Sequence, residues 1–466
     1  MHQQKQPIQT ALCKALTLAG CIATLGQTVG AAQPASTTQH LQLKDNNWEG
    51  SLILQGVYYH SDKDDDHHEH GDEHDHDHGH GDDHDHGSHD HGNHDHGHMV
   101  TLPGFPAGSH QHSFKDGLQA GHIEAVVSGN ITPHLNARVT TAMLDTDHGL
   151  EVELEEAFVE SASLGYGTNI KLGRFFSDIG YLSSKHNHEW DFSDTPLVYE
   201  GMFGSHTNDD GLQFSVVAPT DTFMQFGVEL FKGDKFPAND SGNTIGASSF
   251  FAKVGGDIGT DHSWQAGIGH WRAGDVNNRE GALHEHPRPD GSMHSVTPEF
   301  SGDSKINTVG AVYKWAPNGN PKERNFTLQG EYFQRDEGGD IAMIETQDGS
   351  TARQFTYNGE QYGWYVQGVY QFRPHWRVGL RHDRLGSDNR LSNPDGSAVS
   401  EHALSAAGLA DHGHDPKRNT VMVDYSPREY SRWRLQYNQD EHQPETDHQV
   451  ILEYTHSFGS HGAHSF

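Results

Sequence analysis

The stretch that most constrains this chain is Gln449 to Phe458, close to its end. Val450, Leu452, Tyr454 and Phe458 fall on one side of an extended backbone, while Gln449, Glu453, Thr455 and Ser457 fall mostly on the other. Successive side chains of a strand point to opposite faces, so an apolar row opposite a polar row suits a strand with lipid outside and water inside. The same alternation recurs back to residue 48, where Trp48, Leu52, Leu54 and Tyr58 alternate with Glu49, Ser51 and Gln55. It predicts an all-β fold: a transmembrane antiparallel β-barrel over residues 48–458, with about 16 strands of roughly ten residues each.

Segments of this kind come in pairs joined by short Gly, Pro, Asn and Asp turns. Gly117 to Gly129 and His134 to Leu144 meet at Ile131-Thr132-Pro133, and Gln361 to Phe372 and Trp376 to Leu385 meet at Arg373-Pro374-His375. Between pairs the connections are long. Short turns belong on the periplasmic side of such a barrel and long loops outside, which makes 61–98 the first external loop and 178–209 the third. Both placements follow from counting strands.

Composition narrows the function classes. The formal charge of −34 excludes a nucleic-acid binder as a first expectation, because phosphate contacts need clustered Lys and Arg. Residues 1–32 read as a signal peptide, with Lys5 and Lys14 before an apolar run and Val29-Gly30-Ala31-Ala32 as cleavage site. A rival reading takes Leu18-Ala19-Gly20-Cys21 as a lipoprotein box. Cys13 and Cys21 both lie in this segment, so the mature chain is expected to have no thiolate site. Residues 33–47 form a short lead, with no room for a plug domain, and 459–466 a tail. No Gly-x-Ser-x-Gly, His-Glu-x-x-His or phosphate-cradling glycine loop occurs, and no enzymatic activity is expected.

The clearest chemistry lies in 61–98, a low-complexity tract expected to be disordered. It carries His67, His68, His70, His74, His76, His78, His80, His84, His86, His89, His91, His94, His96 and His98 among many aspartates. Imidazole and carboxylate suit zinc, copper, nickel and cobalt, and the near-absence of Lys, Ser and Thr argues against a generic spacer. In the third loop, Lys185-His186-Asn187-His188-Glu189-Trp190-Asp191 offers His186, His188, Glu189 and Asp191 as a second ligand group, placed to form a metal-selective constriction if the loop folds inward. On the barrel wall, alternation turns Arg377, Arg381, Arg432 and Arg434 to the lumen. They either line the pore as a positive field or satisfy interior carboxylates such as Glu331 and Asp424.

The run Leu172-Gly173-Arg174-Phe175-Phe176-Ser177-Asp178-Ile179-Gly180-Tyr181-Leu182, followed by His186-x-His188-x-Trp190-Asp191-Phe192 and Asp194-x-Pro196-Leu197-Val198-Tyr199, resembles the porin-like, zinc-regulated outer-membrane proteins of Gram-negative bacteria. The ending Phe458 to Phe466 and the His/Asp-rich first loop are also similar to that family. Its members often carry the label TonB-dependent receptor, from which this chain departs in lacking a plug and an energy-coupling box. The resemblance implies zinc acquisition under scarcity, with zinc as a loosely held, transported ligand. The expected partners are metal ions, outer-membrane lipid and the barrel-assembly machinery. A homotrimer is left open. Three functions follow: a channel that concentrates and admits divalent transition metals, a surface metal sponge or receptor anchored by its barrel, or a porin for anions or small organic solutes.

Overall fold

The computed structural model describes residues 48–63, 102–106, 114–146, 149–161, 164–239, 245–287, 293–345 and 350–459. The segments 1–32 and 33–47, the histidines of the 61–98 tract and the tail beyond Gly459 lie outside the described residues.

Alternating apolar and polar side chains produce strands where expected. The first half comprises β1 (Trp48–Ser61), β2 (Gly117–Ala120), β3 (Ile123–Thr132), β4 (Leu135–Thr146), β5 (Gly149–Ser161), β6 (Thr168–Phe176), β7 (Asn208–Val217), β8 (Phe223–Phe231) and β9 (Ala247–Ile258). The second comprises β10 (His262–Glu280), β11 (His284–Pro287), β12 (Met293–Trp315), β13 (Asn325–Glu345), β14 (Thr351–Arg373), β15 (Trp376–Ser392), β16 (Lys417–Arg428), β17 (Ser431–Glu441) and β18 (Asp447–Gly459). β2 and β3 are two parts of one stave, and β11 only extends the hairpin of β10 and β12. The eighteen segments therefore make a closed antiparallel barrel of 16 strands.

Closure runs through β1, which pairs with β3 from Trp48↔Gly129 to Ile53↔Glu124 and with β18 from Ser51↔Gly459 to Ser61↔Gln449. The sheet thereby closes on itself, as a lipid-embedded sheet requires. The outer face carries exposed Leu54, Ile268, Val309, Leu380, Leu435 and Leu452. Near the short turns it carries aromatic pairs, with Trp376 stacked on Tyr425 and Trp433 against Tyr454. An apolar band with aromatic girdles is the surface of an outer-membrane barrel. Turns at that end are brief (133–134, 259–261, 374–375), whereas the opposite end holds the long connections 62–116, 177–207 and 393–416.

Two expectations need correction. Strands of roughly ten residues underestimate the far side of the barrel, where β12 and β14 run to 23 residues and β13 to 21. They continue as a ladder because their inner faces bury Phe300, Ile341, Phe355 and Tyr357 in a shared apolar cluster. The lumen is also less open than a plain water-filled cylinder. The segment 177–207 folds into it and packs Ile179, Leu182, Leu197, Val198, Tyr199, Met202 and Phe203 against Trp271, Ile306, Phe333 and Tyr365 of the wall.

A candidate metal centre

The inward fold of 177–207 follows from its residues. Its short helix α1 (Leu197–Phe203) has seven residues, too few to be stable alone. Burial of Leu197, Val198, Tyr199, Met202 and Phe203, at about 1.5–3 kcal/mol for each large apolar side chain, holds it. Gly204, at φ 64 in the left-handed region, ends it.

The preceding limb is fastened by charge. Arg377 Nη1 donates to Asp191 Oδ1 at 2.7 Å, Arg381 Nη2 to Asp194 Oδ1 at 2.8 Å, and Arg418 Nη1 to Asp194 Oδ2 at 3.0 Å. Arg434 Nη2 donates to the Trp190 carbonyl at 2.9 Å and Arg432 Nη2 to the His188 carbonyl at 3.1 Å. Burial raises the Asp194 carboxyl, but the charges of Arg381 and Arg418 outweigh it and hold the group below the usual carboxylate range. The four arginines expected to line the pore thus face inward but are occupied with this segment. Asp424 does accept from Arg377, whereas Glu331 accepts from Tyr199, Tyr365 and the Tyr181 N–H instead.

On the opposite wall the segment presents His186 and His188, both 4% exposed. They meet His122, Glu124, Glu155 and Glu156. Two local irregularities bring the carboxylates inward. In β5 the ladder to β4 steps from Thr140↔Glu156 to Thr141↔Leu154, a bulge that lets neighbouring Glu155 and Glu156 both face the lumen. Between β2 and β3, Gly121 lies so close to β1 that a Cβ there would stand 2.9 Å from Gln55 Cβ and Val57 Cγ2. The His122 N–H then bonds to Gln55 Oε1 at 3.1 Å, and Glu124 follows two residues on, facing the same way.

The six side chains sort into holders and open ligands. An ionised carboxylate only accepts, so the imidazole nitrogens facing it donate. His122 Nε2 bonds to Glu155 Oε1 at 2.9 Å, His188 Nδ1 to Glu124 Oε2 at 3.0 Å, and His186 Nε2 to Glu156 Oε2 at 3.0 Å. The other His186 nitrogen, Nδ1, lies 3.5 Å from Glu124 Oε2 and 3.3 Å from Glu155 Oε2 and becomes an open ligand atom once it gives up its proton. His186 Nδ1, Glu124 Oε1 and Glu155 Oε2 are buried without a hydrogen-bond partner. Ligand atoms tetrahedrally placed ~2.0–2.2 Å from zinc stand roughly 3.3–3.6 Å apart, and glutamate, glutamate and imidazole here offer one donor each within 4.8 Å of one another. Burial alone would depress the His186 ring. Its carboxylate neighbours Glu155, Glu156 and Glu124 outweigh that and hold it well above the ordinary imidazole value. The carboxylates thus favour positive charge beside them, which a proton on His186 supplies and a divalent cation would supply in its place.

Of the expected third-loop ligands, the structure brings His186 and His188 together and leaves out the other two. Glu189 is exposed and its carboxylate accepts from the His186 N–H at 3.1 Å, closing a single 3-10 turn, while Asp191 faces Arg377. His122, Glu124, Glu155 and Glu156 were missed by sequence reasoning. The signal available was His122-x-Glu124 on an inward row. Glu156 breaks its strand's alternation and gives no such signal.

No family model matches the sequence. A protein of Aquifex aeolicus (strain VF5), described as uncharacterized, is 25% identical over 382 residues, covering 77% of this chain and 73% of its own. Among solved structures, the outer-membrane expressed OmpT of Vibrio cholerae is similar at TM-score 0.46 and 9% identity, over 90% of this chain and all of its own. The outer membrane channel DcaP of Acinetobacter baumannii gives 0.45 and 12%, over 88% and 97%. An anion-selective porin from Comamonas acidovorans gives 0.45 and 12%, over 89% and 100%.

Proposed function

We propose that this protein is a porin-like outer-membrane channel that concentrates divalent transition-metal ions, zinc foremost, and admits them past the inner segment. The observation that carries this reading is the trio of buried, unpaired ligand atoms on His186, Glu124 and Glu155, set in the lumen of a closed barrel. The 61–98 tract, in this reading extracellular, supplies many weak sites and negative charge that raise the local ion concentration. Nitrogen and oxygen donors without thiolate match borderline divalent ions. Occupancy is transient, because conduction needs sites weak enough to leave.

The test is zinc entry into proteoliposomes holding a trapped zinc indicator. Entry above that of empty liposomes is expected, and deletion of 64–98 is expected to slow it at scarce but not at abundant zinc. Zinc binding without entry would replace the channel with a surface sponge. Anion passage is the second reading, favoured by Arg432 Nε and by Arg434 Nε and Nη1, which are buried without a hydrogen-bond partner. A reversal potential in a salt gradient separates the two. Assembly as a homotrimer belongs to the same proposal and is read by mass in detergent.

A further inference from the structure

The segment 177–207 is attached to the two sides of the barrel by different chemistry. Toward β15, β16 and β17 its bonds run from arginines to Asp191, Asp194 and backbone carbonyls. These arginines are permanently charged, so that attachment needs no third party. Toward β3 and β5 it presents imidazoles to carboxylates instead, with His186 bonded to Glu156 and His188 to Glu124. Here three carboxylates converge, and the ring atom that faces two of them, His186 Nδ1, makes no hydrogen bond although it is almost completely buried. A divalent cation held jointly by His186, Glu124 and Glu155, taking the place of the ring proton, would bind limb to wall.

We propose that a divalent cation at this centre is a latch: its occupancy clamps the limb 183–190, whose His188 and Trp190 carbonyls arginines also hold, to the β3–β5 wall and narrows the lumen on that side, while 191–203 stays anchored by arginine either way. The inference rests on the metal reading above and adds regulation to it. The channel closes on the ion it carries, passing metal readily when the centre is empty and restraining it when the centre is filled.

Hydrogen exchange in the full chain in lipid nanodiscs tests it, with zinc chloride or EDTA, read on peptides spanning 183–190 and 197–203. Zinc is expected to slow exchange in 183–190 by about tenfold or more and to leave 197–203 within about twofold. His186→Gln, which keeps a donor for Glu156, and Glu155→Gln are expected to abolish the difference, with exchange in the strands confirming that each variant folds. Equal slowing of both peptides, no slowing of either, or variants that respond like the wild type would overturn the latch. Zinc entry into liposomes is scored separately. Entry with an unresponsive limb keeps the channel and removes the latch, and a responsive limb without entry does the reverse.

Discussion

Glu156 touches no open ligand atom, yet it decides what His186 offers. By accepting from Nε2 it aims Nδ1 at Glu124 and Glu155, and Arg138 Nε, 3.4 Å from Glu156 Oε2, steadies it in turn. Groups that orient a ligating imidazole typically contribute 10–100-fold to metal affinity. Glu156→Gln is thus expected to weaken zinc binding by about that factor while Glu124 and Glu155 remain in place, measured by titration calorimetry on protein lacking 64–98. Asp194 is the corresponding residue on the other wall, receiving Arg381, Arg418, Gln436 and Asn438. Asp194→Asn removes one carboxylate from two buried arginines that keep Asp383 and Asp440, and is expected to cost roughly 1.5–3 kcal/mol in a denaturant titration.

At the scale of elements, the inner segment and the wall respond to different conditions. Asp194 has a folded pKa held below its unfolded value, so its contribution is fully present above the unfolded value, near pH ~4, and is lost as pH falls through the depressed one. Acid is expected to loosen 191–203 only below about pH 4, read by hydrogen exchange. The zinc binding proposed for the 61–98 tract is expected to fail much earlier, as ordinary imidazoles protonate near pH ~6.5. The strands answer to lipid instead. Leu435, paired with Val423 and Leu452 on the exposed face, is a site where Arg is expected to cost up to about 2–4 kcal/mol at the bilayer midplane and less toward the interface. Refolding into lipid vesicles measures it.

For the whole molecule, the proposed function divides ion capture and ion passage between different parts. In the proposed function the His/Asp tract would set how often a cation is nearby, and the inner centre whether it proceeds. A chain without 64–98 is expected to keep one zinc site per barrel, and His186→Gln in that background to lose it. Equilibrium dialysis counts the difference directly. Retention of that site in the double change would remove His186 from the centre.

The sequence alone determined the barrel, because a period of two with lipid on one side and water on the other leaves no other closed arrangement of these strands. It also pointed to His186 and His188, since two imidazoles two apart on a loop stand out locally. Only the tertiary structure decided what they meet. Glu155 and Glu156 share a face through a bulge set by pairing with β4, and Glu124 comes from a strand more than sixty residues away in sequence. The lumenal arginines were legible as inward-facing, but their engagement with Asp191 and Asp194 was not. That engagement depends on a segment crossing the barrel, and alternation along one strand carries no information about what lies across it.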